Sequence, residues 1–184
     1  SKDATERSFE HKHSRPVFQL VACRNREWVL SVSMDRDVAL WDVKSGKRLW
    51  VMHGFGGFVY SLADSPLGLM IGAGDNMVRR WDHTYSSREA VQVWWKGLKS
   101  TVTCVLPHPE EHSLVAVGDE AGRVCLLNTL NNQVATTAAP HRAPVSQLAW
   151  FAVKATEEEE EGGGRDAATK FELLSLCTEG RLKY

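Results

Sequence analysis

Arg15, Arg36 and Phe58 are the residues of this chain whose types and positions best suit ligand chemistry. Arg15 stands just before the apolar run Val17-Phe18-Gln19-Leu20, and Arg36 lies inside Ser33-Met34-Asp35-Arg36-Asp37. Phe58 follows Gly56-Gly57 directly, with no polar residue to cover it. An aromatic ring flanked by guanidinium groups suits single-stranded RNA, because a base stacks on the ring while arginine takes phosphate or base edges. Such stacking contributes about 1–3 kcal/mol per base. The same residues also admit a plainer reading. In it Phe58 packs against its own sheet, the arginines pair with Asp35 or Asp37, and the surface docks a protein or peptide. The formal net charge of −1 adds no general basic footprint for nucleic acid.

Catalytic constellations are missing from the sequence. It contains no Gly-x-x-x-x-Gly-Lys-Ser/Thr loop, no Gly-x-Ser-x-Gly elbow and no His-Glu-x-x-His pair. His11 and His13 lie two apart in a polar stretch, His108 sits between two prolines, and His141 falls between apolar segments. None has the spacing of a metal site. Asp35 and Asp75 each precede a valine by three residues at the mouth of a hairpin and have no second carboxylate to work with, so they are read as turn-holding groups. No enzymatic activity and no cofactor are expected.

The elements that would carry these residues are repeats. Ser33-Met34-Asp35-Arg36-Asp37-Val38-Ala39-Leu40-Trp41-Asp42 recurs as Ala73-Gly74-Asp75-Asn76-Met77-Val78-Arg79-Arg80-Trp81-Asp82. It recurs again as Ala121-Gly122-Arg123-Val124-Cys125-Leu126-Leu127-Asn128 and as Glu179-Gly180-Arg181-Leu182-Lys183-Tyr184. Four apolar openings at Val17, Val59, Val102 and Val145 share a period of about 43 residues. A turn and an alternating strand closing on Trp-Asp, at that period, is the mark of a WD repeat. The expected fold is therefore all-β: a WD-repeat β-propeller fragment of about three and a half four-stranded blades.

The blades are placed at residues 14–54, 55–98, 99–141 and 142–184, after a linker or the end of a preceding blade at 1–13. Lys44-Ser45-Gly46-Lys47 predicts a tight hairpin with glycine at positive φ. The fourth repeat carries an acidic and glycine-rich insertion at 154–168, whose glutamates and glycines cannot bury apolar surface and predict a solvated loop. Its outermost strand is absent, which predicts further blades on both sides in a longer protein. In blades three and four Ala121 and Glu179 stand where Asp35 and Asp75 stand in the first two, so their turns are expected to lack that carboxylate's bonds.

Composition agrees with this architecture. The chain has 184 residues, of which 43% are hydrophobic and 24% charged, within the globular range. No apolar run approaches the roughly 18–20 residues that span a bilayer, so no membrane partner is expected. No charged segment followed by an apolar one opens the chain, so no secretion signal is expected. Cys23, Cys104, Cys125 and Cys177 are scattered and never form Cys-x-x-Cys, which predicts buried, reduced thiols in an intracellular protein.

In a propeller, the loop leading into each inner strand and the hairpin between the second and third strands reach one face. That places Arg15, Phe58, Lys99, Thr101, Arg142 and Pro144 from the leading loops beside Arg36 and Asn76 from the hairpins.

Several segments carry a family likeness: His13-Ser14-Arg15-Pro16-Val17-Phe18, Ser31-Val32-Ser33-Met34-Asp35-Arg36-Asp37-Val38, Gly56-Gly57-Phe58-Val59-Tyr60-Ser61-Leu62-Ala63 and Trp95-Lys96-Gly97-Leu98-Lys99-Ser100-Thr101-Val102-Thr103. In order and without large gaps over roughly residues 13–150, they resemble the Gemin-five family, the large WD-repeat subunit of the survival-of-motor-neuron complex. The resemblance implies a tandem pair of propellers that recognises small nuclear RNA precursors through the Sm site and the 7-methylguanosine cap. Its partners would be capped RNA, the other subunits of that complex and the remaining blades. It implies a cytoplasmic protein with access to the nucleus. It assigns RNA contacts to the positions of Arg15, Arg36 and Phe58, with Phe58 as one half of an aromatic sandwich whose tryptophan lies outside this chain. Two positions depart from the pattern: Ser146 stands where the family stacks a tyrosine on a base, and Pro107 replaces a tryptophan.

Overall fold

The computed structural model describes residues 12–81, 91–131, 133–153 and 170–184. Residues 1–11 and the acidic, glycine-rich insertion placed at 154–168 lie outside the described residues. Every regular element among the described residues is a strand. The first sheet holds β1 (Val17–Ala22), β2 (Trp28–Ser33), β3 (Val38–Asp42) and β4 (Arg48–Met52). The second holds β5 (Val59–Ser65), β6 (Gly68–Ala73), β7 (Met77–Trp81) and β8 (Val91–Trp95). The third holds β9 (Val102–Pro107), β10 (Leu114–Asp119), β11 (Val124–Asn128) and β12 (Gln133–Ala138). The fourth comprises β13 (Val145–Val153), β14 (Lys170–Cys177) and β15 (Leu182–Lys183). Within each sheet the strands follow chain order and pair antiparallel, as propeller blades do.

Burial explains why consecutive blades hold together. The second strand of each complete blade is covered on both sides, so β6 reads Gly-Leu-Met-Ile-Gly-Ala and is buried throughout. β12, the outer strand of the third blade, is exposed along its whole length. The cores therefore lie between blades. Leu30, Val38 and Leu40 of the first pack with Val59, Leu62 and Ile71 of the second, and Met70 and Val78 pack with Val102, Val105 and Val117 of the third. Burying each such side chain contributes about 1.5–3 kcal/mol. Val59, Val102 and Val145 are fully buried, whereas Val17, at the same place in the first blade, is 45% exposed, having no neighbour on that side among the described residues.

Close approach at the second and third blade junctions needs glycine, at the equivalent positions Gly72 and Gly118. A Cβ on Gly118 would come within 2.6 Å of Val145 Cγ1 and 2.5 Å of Cys104 Sγ, so only glycine lets the fourth blade's inner strand sit there. Polar clamps cross the same junctions. The Gln19 amide donates to the Leu62 carbonyl at 3.2 Å and accepts from the Leu62 N–H at 3.1 Å. Ser61 Oγ accepts from the Val105 N–H at 3.0 Å, and Thr103 Oγ1 donates to the Val145 carbonyl at 2.6 Å.

A four-residue relay braces the first blade. Trp41 Nε1 donates to Ser31 Oγ at 2.7 Å, and Ser31 Oγ lies 2.6 Å from His13 Nε2. His13 Nδ1 reaches Asp35 Oδ2 at 2.9 Å, and the Ser14 N–H reaches the same oxygen at 2.9 Å. With the proton on Nδ1 every member has a partner: indole gives to hydroxyl, hydroxyl to imidazole, imidazole to carboxylate. Burial raises the Asp35 pKa, but the bonds from His13, Ser14 and Asp37 outweigh it and hold the carboxyl below its usual value. His13, read from the sequence as one of two histidines in a polar stretch, is thus a structural residue.

The other blades solve the same problem with different residues. In the second, buried Phe55 occupies the histidine's place and Ile71 the serine's, and Asp75 takes a two-pronged bond from Arg79 at 2.6 and 2.9 Å. In the third, where Ala121 leaves no carboxylate, buried Asp119 holds the turn instead, accepting from the Arg123 N–H at 2.9 Å and Nε at 2.7 Å. The fourth keeps half of the relay: His141 Nε2 lies 2.9 Å from Ser175 Oγ, while its buried Nδ1 has no partner. The expectation that the third and fourth turns lack the standard carboxylate holds, and Asp119 is the compensation the repeat alignment did not reveal.

Candidate nucleic-acid interface

Each hairpin between second and third strands is tied by one backbone bond to the residue just before an inner strand. The Met34 N–H bonds the Pro16 carbonyl at 3.1 Å, and Gly74 N–H bonds Phe58 at 2.8 Å. Glu120 N–H bonds Thr101 at 2.9 Å, and Thr178 N–H bonds Pro144 at 2.9 Å. Leading loop and hairpin therefore meet on one rim in every blade. Arg15 joins that rim through its carbonyl, which accepts from Ser33 Oγ at 2.9 Å.

Arg36 sits in the left-handed region at φ 70, the place that Gly122 (φ 78) and Gly180 (φ 76) fill in later blades and Asn76 (φ 61) in the second. A long side chain is unusual there, because its Cβ crowds the backbone. That conformation carries the guanidinium across the blade junction. Arg36 Cζ stands 5.2 Å from the centroid of the Phe58 ring, within cation–π range.

Neither local carboxylate is available to Arg36. Asp35 is committed to His13 and Ser14, and Asp37 Oδ1 lies 2.7 Å from His53 Nδ1. Among the described residues neither Arg15 nor Arg36 enters an ion pair. Phe58 is 41% exposed. The structure thus places Arg36 against Phe58 directly and sets exposed Arg15 on the adjacent leading loop.

Sequence reasoning passed over Tyr60. Its ring meets Phe58 edge-to-face, with centroids 6.3 Å apart and planes at 76°, and it is 42% exposed. The reason is a bulge. Pairing of β5 with β6 skips from Val59 to Ser61, so Tyr60 is an extra residue turned out of the ladder. The same shift skips Phe18 in β1, Thr103 in β9 and Ser146 in β13. A repeat at the second position of each apolar opening was the available signal. Ser146, where a tyrosine was expected, donates to the Leu176 carbonyl at 3.0 Å.

The arrangement presents an exposed ring beside guanidinium groups, chemistry that can stack and bind anions. Among the described residues no cluster of three or more His, Cys, Asp or Glu could hold a metal ion. His108, in the turn after β9, accepts from the N–H groups of Glu110 and Glu111 at 3.2 and 2.8 Å. Burial pushes the Cys104 thiol up to about 11, so it offers no thiolate near neutral pH.

Comparison with known proteins agrees with this architecture. The family model described as WD domain, G-beta repeat matches residues 5–42. The crystal structure of the computationally designed Ika4 protein superposes with a TM-score of 0.68 over 96% of this chain and 93% of that one. At 20% identity, that likeness speaks for the fold alone. Human Gem-associated protein 5 is 38% identical over 148 residues, covering 75% of this chain and 10% of that protein. The mouse protein of the same name is 39% identical over 150 residues, covering 76% and 10%. The chain is a Gem-associated-protein-5-like WD-repeat chain. The Dictyostelium discoideum component of gems protein 5 is 34% identical over 131 residues, covering 66% of this chain and 10% of that protein. This Gem-associated-protein-5-like chain spans about a tenth of the length of the curated relatives it matches.

Proposed function

We propose that this chain is part of an RNA-binding surface that recognises small nuclear RNA precursors, through the Sm site and the 7-methylguanosine cap, for assembly of spliceosomal ribonucleoproteins. It works by binding alone, as a segment of a larger propeller within a complex of the survival-of-motor-neuron type. Phe58 stacks on a base, while Arg36 and Arg15 meet phosphate or base edges. The observation that carries the reading is the Arg36–Phe58 contact at 5.2 Å on an exposed rim. A guanidinium on one face of the ring leaves the other for a base, and among the described residues neither arginine pairs with a carboxylate.

The test is competition binding with the full-length protein and an Arg36→Ala variant on single-stranded RNA across a salt series. Each phosphate contact releases counterions, so loss of one lowers the slope of log affinity against log salt by about 0.7. A weaker affinity with a shallower slope supports a phosphate-facing Arg36. An unchanged slope and affinity contradicts it.

A further inference from the structure

The face opposite the rim carries a charge of its own. Inner strands enter from the rim and pairing is antiparallel, so the hairpins after β1 and β3 turn on the far side of the first blade. These hairpins, at 23–27 and 43–47, and the first residue of β4 hold Arg24, Arg26, Lys44, Lys47 and Arg48, all exposed. One bond ties the two hairpins together, from the Val43 N–H to the Glu27 carbonyl at 2.8 Å. Little nearby neutralises the cations. Asp42 is occupied by Ser45, whose hydroxyl and N–H both donate to it at 2.6 Å and hold its carboxyl below the usual value. Asp64 Oδ2 accepts from the backbone N–H of Arg24 at 2.6 Å. Among the described residues Arg24, Arg26, Lys47 and Arg48 enter no ion pair. The repeat itself does not demand this patch. On the same face the second blade's turn at 66–67 is uncharged, and the third blade's turn at 108–113 is acidic, with Glu110 and Glu111.

Two details bear on what such a surface would bind. Arg26 holds φ 58, a left-handed conformation in which a long side chain is unusual. Its turn is fixed by other groups. Asn25 Oδ1 accepts from the N–H groups of Glu27 and Trp28 at 3.0 and 3.2 Å, and the Arg26 N–H bonds the Cys23 carbonyl at 2.9 Å. Glycine or asparagine would sit there with less strain, so the fold does not call for arginine at that place. Apolar surface lies among the cations. Val43 is 49% exposed, and Leu49, skipped where β4 pairs with β3, is 47% exposed.

We infer that this face of the first blade docks an acidic segment of a partner protein, one in which carboxylates alternate with aliphatic side chains. The carboxylates meet the arginines and lysines, and the aliphatic side chains cover Val43 and Leu49. Guanidinium suits this role because its planar fork takes a carboxylate through two hydrogen bonds. RNA fits the surface less well, although phosphate would meet the same charges. Single-stranded RNA binds by stacking on rings as well as by charge, and the large apolar side chains exposed on these hairpins are aliphatic. The inference is independent of the RNA reading of the rim, since the two surfaces lie at opposite ends of the strands.

The experiment measures binding of the full-length protein to short labelled probes by fluorescence anisotropy. One peptide alternates glutamate with leucine, a second alternates serine with leucine, and an oligouridylate supplies phosphate without a carboxylate. Wild type should bind the glutamate–leucine peptide, and the serine–leucine peptide on the order of tenfold more weakly. The double variant Arg24→Gln, Arg26→Asn should lose on the order of tenfold on the acidic peptide. It should keep the wild-type thermal unfolding profile, because both side chains are exposed and asparagine tolerates the left-handed turn. Val43→Ser should lose about threefold on the same peptide. Arg36→Ala, on the other face, should bind it as wild type does. Failure of wild type to bind the acidic peptide, or equal binding by wild type and the double variant, overturns the proposal. So does a double variant whose affinity for oligouridylate falls as far as its affinity for the peptide, since that pattern marks a phosphate surface.

Discussion

The guanidinium of Arg36, on the second hairpin strand's approach in the first blade, lies over the ring of Phe58 at the start of the second blade, 5.2 Å from its centroid. The contact crosses a blade junction. Neither residue alone would define a site: Arg36 is an exposed turn residue and Phe58 a partly exposed ring. Blade packing through Val59, Leu62 and Leu30 fixes their separation, so the rim depends on the interblade core beneath it.

Arg36 holds an unfavourable backbone conformation at φ 70. Replacing it with glycine relieves about 1–2 kcal/mol of left-handed strain. It also adds about 0.4–1 kcal/mol of unfolded-state entropy and removes a cation–π contact of about 0.5–1 kcal/mol. These effects cancel, so Arg36→Gly should unfold within about 1 kcal/mol of wild type by chemical denaturation. RNA affinity should fall in the same variant. A large loss of stability would mean that Arg36 braces the blade and is not kept for a ligand.

The relay in the first blade is buried and complete, so its loss should be costly. Ser31→Ala strips partners from Trp41 Nε1 and His13 Nε2 together. Each unsatisfied buried group costs about 1–3 kcal/mol. Denaturation should show a destabilisation of about 2–4 kcal/mol. Ile71→Ala, at the matching place in the second blade, should respond only as an apolar truncation, because Phe55 stands there in place of histidine.

Gly118 faces Val145 Cγ1 at 2.6 Å and Cys104 Sγ at 2.5 Å from where a Cβ would lie. Gly118→Ala should therefore destabilise by about 1–3 kcal/mol through overpacking. Adding Val145→Ala should recover part of that loss, read as a non-additive double-mutant cycle.

Acid should loosen the blades through two carboxylates. Burial raises the pKa of both Asp35 and Asp75, but bonds from His13 and from Arg79 respectively leave each below the ordinary 3.8. A depressed carboxyl contributes stability that is fully present above the unfolded-state value and is lost as pH falls through the folded-state value. Stability should be flat with respect to these groups near neutral pH and fall below about pH 4. Asp35→Asn should flatten that fall. An equally steep decline in the variant would assign the acid sensitivity elsewhere.

Much of the fold was legible because the repeat writes the same physical demand several times. Four apolar openings and two Trp-Asp endings were enough to mark blades, and Gly46 at φ 70 occupies the predicted hairpin turn. Arg15, Arg36 and Phe58 could be set on one rim because propeller connectivity sends leading loops and hairpins to the same face. What stayed hidden depends on contacts between distant positions. His13 pairs with residues 18 and 22 positions away, so no local pattern distinguishes it from a surface histidine. Asp119 and Arg79 rescue turns whose usual partners are missing, and such compensation shows only when side chains are placed. Tyr60 was hidden by its bulge, because one extra residue inverts the alternation by which inward and outward positions are told apart.

The most direct test of the account is cross-competition binding of the full-length protein, wild type and Phe58→Ala, to capped and uncapped RNA bearing an Sm site at physiological salt. The account predicts that wild type binds both and that Phe58→Ala loses on the order of tenfold or more on capped RNA while keeping its thermal unfolding profile. Failure of wild type to bind either RNA, or a Phe58→Ala variant that binds capped RNA as wild type does, would contradict it.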